Sequence, residues 1–199
     1  MAYTIYETKV VILGCRPILE HDLFLRVFSN MFGYITVVAK GTRKATSKLR
    51  GNINEYTLAT ISVVKGKEMF RLTDAKQVFS FTQSRSVVSF FRAAEKLFFN
   101  HEEEFGLQTH EHIYQMLIRL AKLLVFIVNE DIACDRQDVQ DFFTVFVRGE
   151  QGFLPKVNWG EGYTVDDFLK LDDVKMCTWL KINKEIIFEL LRKDRERVG

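Results

Sequence analysis

One hundred and ninety-nine residues, 47% of them hydrophobic and eighteen of them Phe, carry enough apolar surface for one large domain or two small ones and exclude a disordered chain. The net charge of +2 hides a division: residues 1–80 hold twelve Lys/Arg against six Asp/Glu, and residues 81–199 hold sixteen against twenty. Cys15, Cys134 and Cys177 lie far apart with no Cys-x-x-Cys pair, which excludes a disulfide framework and a thiolate metal site, and the longest apolar run, residues 123–128, is far too short to span a bilayer.

The N-terminus, Met-Ala-Tyr-Thr-Ile-Tyr-Glu, has no basic stretch leading into an apolar one, so no secretory signal is expected. With three unpaired cysteines, a soluble cytoplasmic protein in a reducing compartment is the expectation. Residues 3–14, rich in β-branched and aromatic side chains (Ile5, Tyr6, Thr8, Val10, Val11, Ile12), predict a strand. Arg16-Pro17 should end it, because proline lacks the ladder donor. Over residues 22–29, Leu23, Leu25 and Val27 alternate with Phe24, Arg26 and Phe28, although the same apolar density fits a short helix. The alternation and the Asn30-Met31-Phe32-Gly33 turn favour a strand entering a hairpin.

Residues 33–51 change character midway. Ile35, Val37 and Ala39 alternate with Tyr34, Thr36, Val38 and Lys40, as in a half-buried strand. Between Gly41 and Gly51 the alternation stops, and from Lys40 to Arg50 there are five cations and no acid. Such a cluster is either a solvated loop or a surface for an anionic polymer, and the residues by themselves leave both open. Residues 56–64 predict a further strand, Lys65-Gly66-Lys67 a turn, residues 69–73 a returning strand, and residues 76–81 a last short one. Short strands over eighty residues suggest a small five-stranded closed barrel of the OB type, an architecture whose face and loops bind oligonucleotides.

Leu13-Gly-Cys-Arg-Pro-Ile-Leu-Glu-His-Asp, Val27-Phe28, Gly33-Tyr34, Val38-Ala39-Lys40-Gly41, Arg43-Lys44, Ser47-Lys48-Leu49-Arg50-Gly51 and Leu72-Thr73-Asp74-Ala75 with Phe79 resemble the N-terminal domain of the bacterial recombination mediator RecO over residues 5–81. The resemblance implies an α+β chain, with an OB-type barrel over residues 1–81 and an α-helical domain over residues 82–199. It also implies a strand at residues 22–29. By function it implies a non-enzymatic DNA-repair protein that binds single- and double-stranded DNA and anneals complementary strands. With RecR, such a protein assists RecA loading on strands covered by single-strand-binding protein, whose C-terminal tail is a further partner.

Beyond residue 81 the periodicity becomes helical. Ser84 is a candidate N-cap for a helix to Asn100 with Val87, Val88, Phe90, Phe91, Ala94, Leu97 and Phe98 on its apolar side. Thr109 should open a strongly apolar helix to about Asn129, and residues 136–148 continue the period until Gly149 and Gly152 break it. Thr164 and Asp167 form a capping-box pattern, and residues 170–197 read as mostly helical. Gly152-Phe-Leu-Pro155 is similar to a stretch of the RecO family. Many members follow it with two Cys-x-x-Cys pairs that hold zinc; here Lys156-Val-Asn-Trp-Gly-Glu-Gly-Tyr stands instead, so no structural zinc and no cofactor are expected.

Under the resemblance, Lys40, Arg43, Lys44, Lys48 and Arg50 are expected on phosphates, with Thr42, Thr46 and Ser47 as neutral donors. Arg16, Arg26, Lys65, Lys67 and Arg71 would extend the groove. Tyr34 and Phe70 either stack on bases or pack in the barrel core or on its surface, and packing is the favoured reading. His101-Glu-Glu-Glu104 and His110-Glu-His112 offer a metal-dependent hydrolase as a remote alternative. Two residues apart on a helix point roughly 200° apart, however, so His110 and His112 cannot share an ion. Cys15 beside Arg16 has no histidine near it in sequence and reads as a strand-end cysteine rather than a nucleophile. No Gly-x-Ser-x-Gly, Gly-Lys-Ser/Thr or His-Glu-x-x-His motif is present. A protein–protein adaptor that binds no DNA is the other alternative.

Overall fold

The computed structural model describes residues 4–67, 69–82, 84–100, 105, 110–154 and 164–198. Its contacts divide the chain into two compact units, Met1–Tyr114 and Gln115–Gly199.

The first unit is built on five strands: β1 (Ile5–Ile18), β2 (Asp22–Ser29), β3 (Gly33–Ala39), β4 (Thr57–Lys65) and β5 (Phe70–Ser80). They close in the order β1-β2-β3-β5-β4. All pairings are antiparallel except β3 with β5, where Val37 meets Phe70 and Val38 meets Arg71 in parallel. Side chains alternate across each strand. Val10, Ile12, Leu25, Val27, Ile35, Val37, Ala59, Ile61, Val63, Phe70 and Leu72 thereby converge on one apolar interior.

Two expectations about strand ends need correction. β1 does not stop at Arg16-Pro17 but runs to Ile18, with Pro17 opposite Leu23. β4 pairs with β1 only as far as Ile12, so the far end of β1 is an edge on that side, where a missing donor breaks no ladder bond. Residues 69–73 and 76–81 are not two strands but the single β5. Against Leu58/Ala59 and Ser62/Val63 its register shifts, leaving Val78 and Thr73 as the extra residues. Such bulges bend a strand and interrupt its alternation, which is why the sequence looks broken there.

Helix α1 (Arg85–Asn100) lies on the outside of this barrel and belongs to its unit. The Ser84 hydroxyl accepts from the Val87 N–H at 3.5 Å, in the N-cap role expected of it. Phe28 and Tyr34, on the outer face, meet the Phe98 ring at 4.4 and 5.9 Å, and Phe81 meets Phe91 at 5.4 Å. A second apolar layer between sheet and helix accounts for much of the phenylalanine content.

The second unit holds α2 (Glu111–Asn129) from Gln115 on, α3 (Arg136–Glu150), α4 (Val165–Lys170) and α5 (Asp173–Val198). Met116, Leu117, Leu120, Ala121, Leu123, Leu124 and Ile127 of α2 are all buried. Phe142, Phe168 and Trp179 join α3, α4 and α5 with ring centroids 4.7–5.6 Å apart. Gly149 stays inside α3, and only Gly152, at φ 78°, leaves the helix in a left-handed turn. The capping box at Thr164 and Asp167 forms as expected. Lys156 to Tyr163, on which the zinc expectation turned, lie outside the described residues, as do Thr109 and His101 to Glu104. Among the described residues no helix is long and apolar enough to cross a membrane.

Candidate nucleic-acid interface

The basic stretch leaves β3 at Ala39 and closes the end of the barrel before β4 begins at Thr57. Gly41 turns the chain at φ 66°, where an L side chain would be strained, and its N–H donates to Asp22 Oδ1 at 2.7 Å. The buried Thr42 hydroxyl donates to Ala39 O at 3.1 Å, so this side chain serves the turn rather than a ligand. The Arg43 N–H donates to His21 O at 3.0 Å, tying the stretch to the β1–β2 turn. Successive turns follow, from Lys44 N–H to Gly41 O, Ser47 N–H to Lys44 O and Asn52 N–H to Leu49 O, at 3.0–3.2 Å. Leu49 and Ile53 then anchor the far side in the barrel core. The backbone is pinned at both ends and in the middle while the cationic side chains are left over.

Those side chains point outward. Lys40, Arg43, Lys44, Lys48 and Arg50 are all exposed, and none forms an ion pair among the described residues. Thr46 is exposed and Ser47 half-buried. Arg43 and Arg50 line a surface cleft of about 320 Å³ together with Thr42, Leu23 and Ile53. The cleft therefore places two guanidinium groups beside Leu23 and Ile53 in a mostly polar lining.

The sheet register extends this surface. Arg16 of β1 pairs with Phe24 of β2, Phe24 with Val38 of β3, and Val38 with Arg71 of β5. Directly paired residues share a face, and Leu25, Val37 and Phe70, each one position along from this row, lie in the interior. Arg16, Phe24, Val38 and Arg71 thus form one row on the outside. Both arginines are exposed; Phe24 and Val38 are half-buried. Lys40 follows Val38 by two residues, which carries the row toward the basic stretch. Phe24 and Val38 did not stand out in the sequence, since only the pairing register puts them between two arginines.

The next row along, Gly14–Arg26–Thr36, is used differently. Arg26 Nη2 lies 2.6 Å from Glu95 Oε1 of α1, with its guanidinium carbon 6.0 Å from the Phe99 ring centre. Burial holds the Glu95 carboxyl above its usual value, with Arg26 opposing the shift. Arg26 is thus committed to the helix. Lys65, the last residue of β4, and Lys67, in the turn to β5, are both exposed. Tyr34 and Phe70, 1% and 4% exposed, are not available to bases: Tyr34 is covered by α1 on the outer face, and Phe70 packs in the barrel core. Burial, with the Glu55 carboxylate beside it, pushes the Cys15 thiol up to about 12, the opposite of an activated nucleophile. His110 lies against Phe28 and Phe105, and the described residues contain no group of three or more His, Cys, Asp or Glu placed to hold a metal.

The family model described as "Recombination protein O N terminal" matches residues 1–81. Among curated proteins, the chain is 30% identical over 70 residues to the DNA repair protein RecO of Gloeothece citriformis, covering 35% of this chain and 25% of that one. It is 34% identical over 65 residues to the DNA repair protein RecO of Desulfitobacterium hafniense, covering 33% and 24%. With the protein of the same name from Leuconostoc mesenteroides it shares 36% over 50 residues, covering 25% and 19%. The matched stretch spans a quarter or less of each of these relatives and lies in the barrel unit.

Proposed function

We propose that this chain, whose first 81 residues form a RecO-type N-terminal domain, acts in DNA repair as a DNA-binding mediator that performs no catalysis itself. The barrel binds single- and double-stranded DNA through Lys40, Arg43, Lys44, Lys48 and Arg50, with Ser47 as a neutral donor. Arg16, Arg71, Lys65 and Lys67 extend the contact. Two strands whose phosphates are neutralised on such a surface repel each other less, which is the physical requirement for annealing. In this reading the helical part, in a cytoplasmic setting, docks RecR and the C-terminal tail of single-strand-binding protein, so that RecA can be loaded.

One observation carries the DNA-binding part. Five neighbouring cations stand exposed, with no ion pair among the described residues, on a loop whose backbone is independently fastened to the barrel. A loop held by its backbone can present charge without needing that charge for its own stability. Changing Arg43, Lys44, Lys48 and Arg50 together to Glu is expected to abolish binding of a labelled oligonucleotide at low salt while the unfolding midpoint is retained. Binding as tight as that of the unaltered protein would remove the loop from the interface.

A further inference from the structure

We propose that the row Arg16–Phe24–Val38–Arg71 is a base-stacking platform that gives a surface able to bind both forms a preference for single-stranded nucleic acid. The inference rests on the DNA-binding reading above and deepens it. Phe24 is a large aromatic side chain on the outside of the barrel, not part of its core, and it takes part in no ring contact among the described residues. The outer aromatics Phe28 and Tyr34 are covered by α1, whereas Phe24 is left half-exposed.

Its neighbours decide what would cover it. Arg16 is one strand away on one side, and Arg71 two strands away on the other. At about 4.8 Å per strand the two arginines stand ~14 Å apart, with Phe24 and Val38 between them. An apolar protein segment would be poorly served by flanking guanidinium groups. A polyanion without exposed rings would gain nothing from the phenyl face. An unpaired nucleotide strand crossing the sheet satisfies both, with phosphates on Arg16 and Arg71 and a base on Phe24. In a duplex the bases are already stacked on each other and cannot reach the ring, so the phenyl face of Phe24 contributes only to single strands, while Arg16 and Arg71 can meet the phosphates of either form.

The full chain would be titrated with a fluorescein-labelled oligothymidylate and with a labelled hairpin duplex, comparing Phe24→Leu and Phe24→Trp with the unaltered protein. Phe24→Leu is expected to weaken oligothymidylate binding about 5- to 150-fold, leave the salt slope unchanged and leave the duplex affinity as it was. Phe24→Trp is expected to restore single-strand binding. Arg16→Gln with Arg71→Gln should instead reduce the single-strand salt slope by about 1.4. An undiminished oligothymidylate affinity in Phe24→Leu, or equal losses on single strand and duplex, would overturn the platform while leaving the cationic loop standing. Failure of the unaltered protein to bind either probe would overturn both.

Discussion

Neutralising the loop without reversing its charge separates electrostatics from folding. Arg43, Lys44, Lys48 and Arg50 are exposed and carry no ion pair among the described residues, Arg43 making only a 3.4 Å bond from Nη1 to Leu19 O, so replacing all four by Gln removes four cations with no acidic partner among those residues. Each phosphate contact contributes about 0.7 to the log–log salt slope on single strands and about 0.9 on duplex, so the variant should lose about 2.8 and 3.6 respectively. Over a fourfold rise in salt, the unaltered protein should lose about 50-fold more single-strand affinity than the variant. Fluorescence anisotropy at several salt concentrations reads the slope directly, and denaturant unfolding checks the fold. The fold should hold, because the anchors are Gly41 N–H on Asp22, Arg43 N–H on His21 O, and Leu49 and Ile53 in the core.

Arg26 supplies the internal control. By sequence it belonged with the binding cations, but its guanidinium is held by Glu95. Arg26→Gln should therefore lower stability and leave the salt slope where it was. An unchanged slope in the four-site variant, or a slope that falls with Arg26→Gln, would refute the assignment of charge to this loop.

Three further expectations follow from buried polar groups. The Glu95 carboxyl titrates above 4.5 in the folded protein because of burial, so the folded state releases its proton later than the unfolded chain. Stability should then decline as pH rises from 4.5 through the folded value, and Glu95→Gln should flatten that decline in urea unfolding measured across this range. Arg148, 4% exposed, donates through Nε to Asp194 at 3.1 and 3.2 Å and lies 4.3 Å over the Phe153 ring. Asp194→Asn removes this carboxylate from a buried guanidinium and should lower stability, with Arg148→Met milder, as read from denaturant midpoints. Cys15 and Cys134 are each pushed up to about 12 and Cys177 is also raised, chiefly by burial, so thiol reagents at pH 8 should label the native protein slowly and the denatured protein at once. Rapid labelling of any one of the three in the native state would contradict that burial.

What could be read from the chain, and what could not, divides along the distance over which each feature is decided. β3 follows from alternation within seven residues, β2 from an ambiguous alternation that the family resemblance decided, α1 from its 3.6-residue apolar stripe, and the basic loop from simple adjacency. The strand β5 was legible only in pieces, because bulged residues at Thr73 and Val78 shift its period. The Arg16–Phe24–Val38–Arg71 row depends on three registers at once, including the parallel β3–β5 contact that closes the barrel. No local pattern encodes a register between strands separated by a long loop. The same limitation put Arg26 among the ligand-facing cations, since the partner that claims it arrives on a helix far downstream.

The boundary between scaffold and interface is therefore one row wide, and Gly14 helps set it. Gly14 pairs with Arg26, and Arg16 pairs with Phe24, so covered and open rows are consecutive on the same face. A Cβ built on Gly14 would stand 2.9 Å from Glu95 Oε1 and 3.2 Å from the Arg26 guanidinium, closer than packed atoms tolerate. The missing side chain is what lets α1 bring Glu95 down onto Arg26. Both contacts are the far ends of flexible side chains, so Gly14→Ala should only swing the tips of this pair aside and cost the first unit about 1 kcal/mol or less, the low end of the cost of overpacking. Glu95→Ala in the same background should recover part of that loss, because it removes the carboxylate that the new methyl group meets. A loss of about 3 kcal/mol or more in Gly14→Ala would instead show that the Glu95 and Arg26 tips are held too rigidly to move aside.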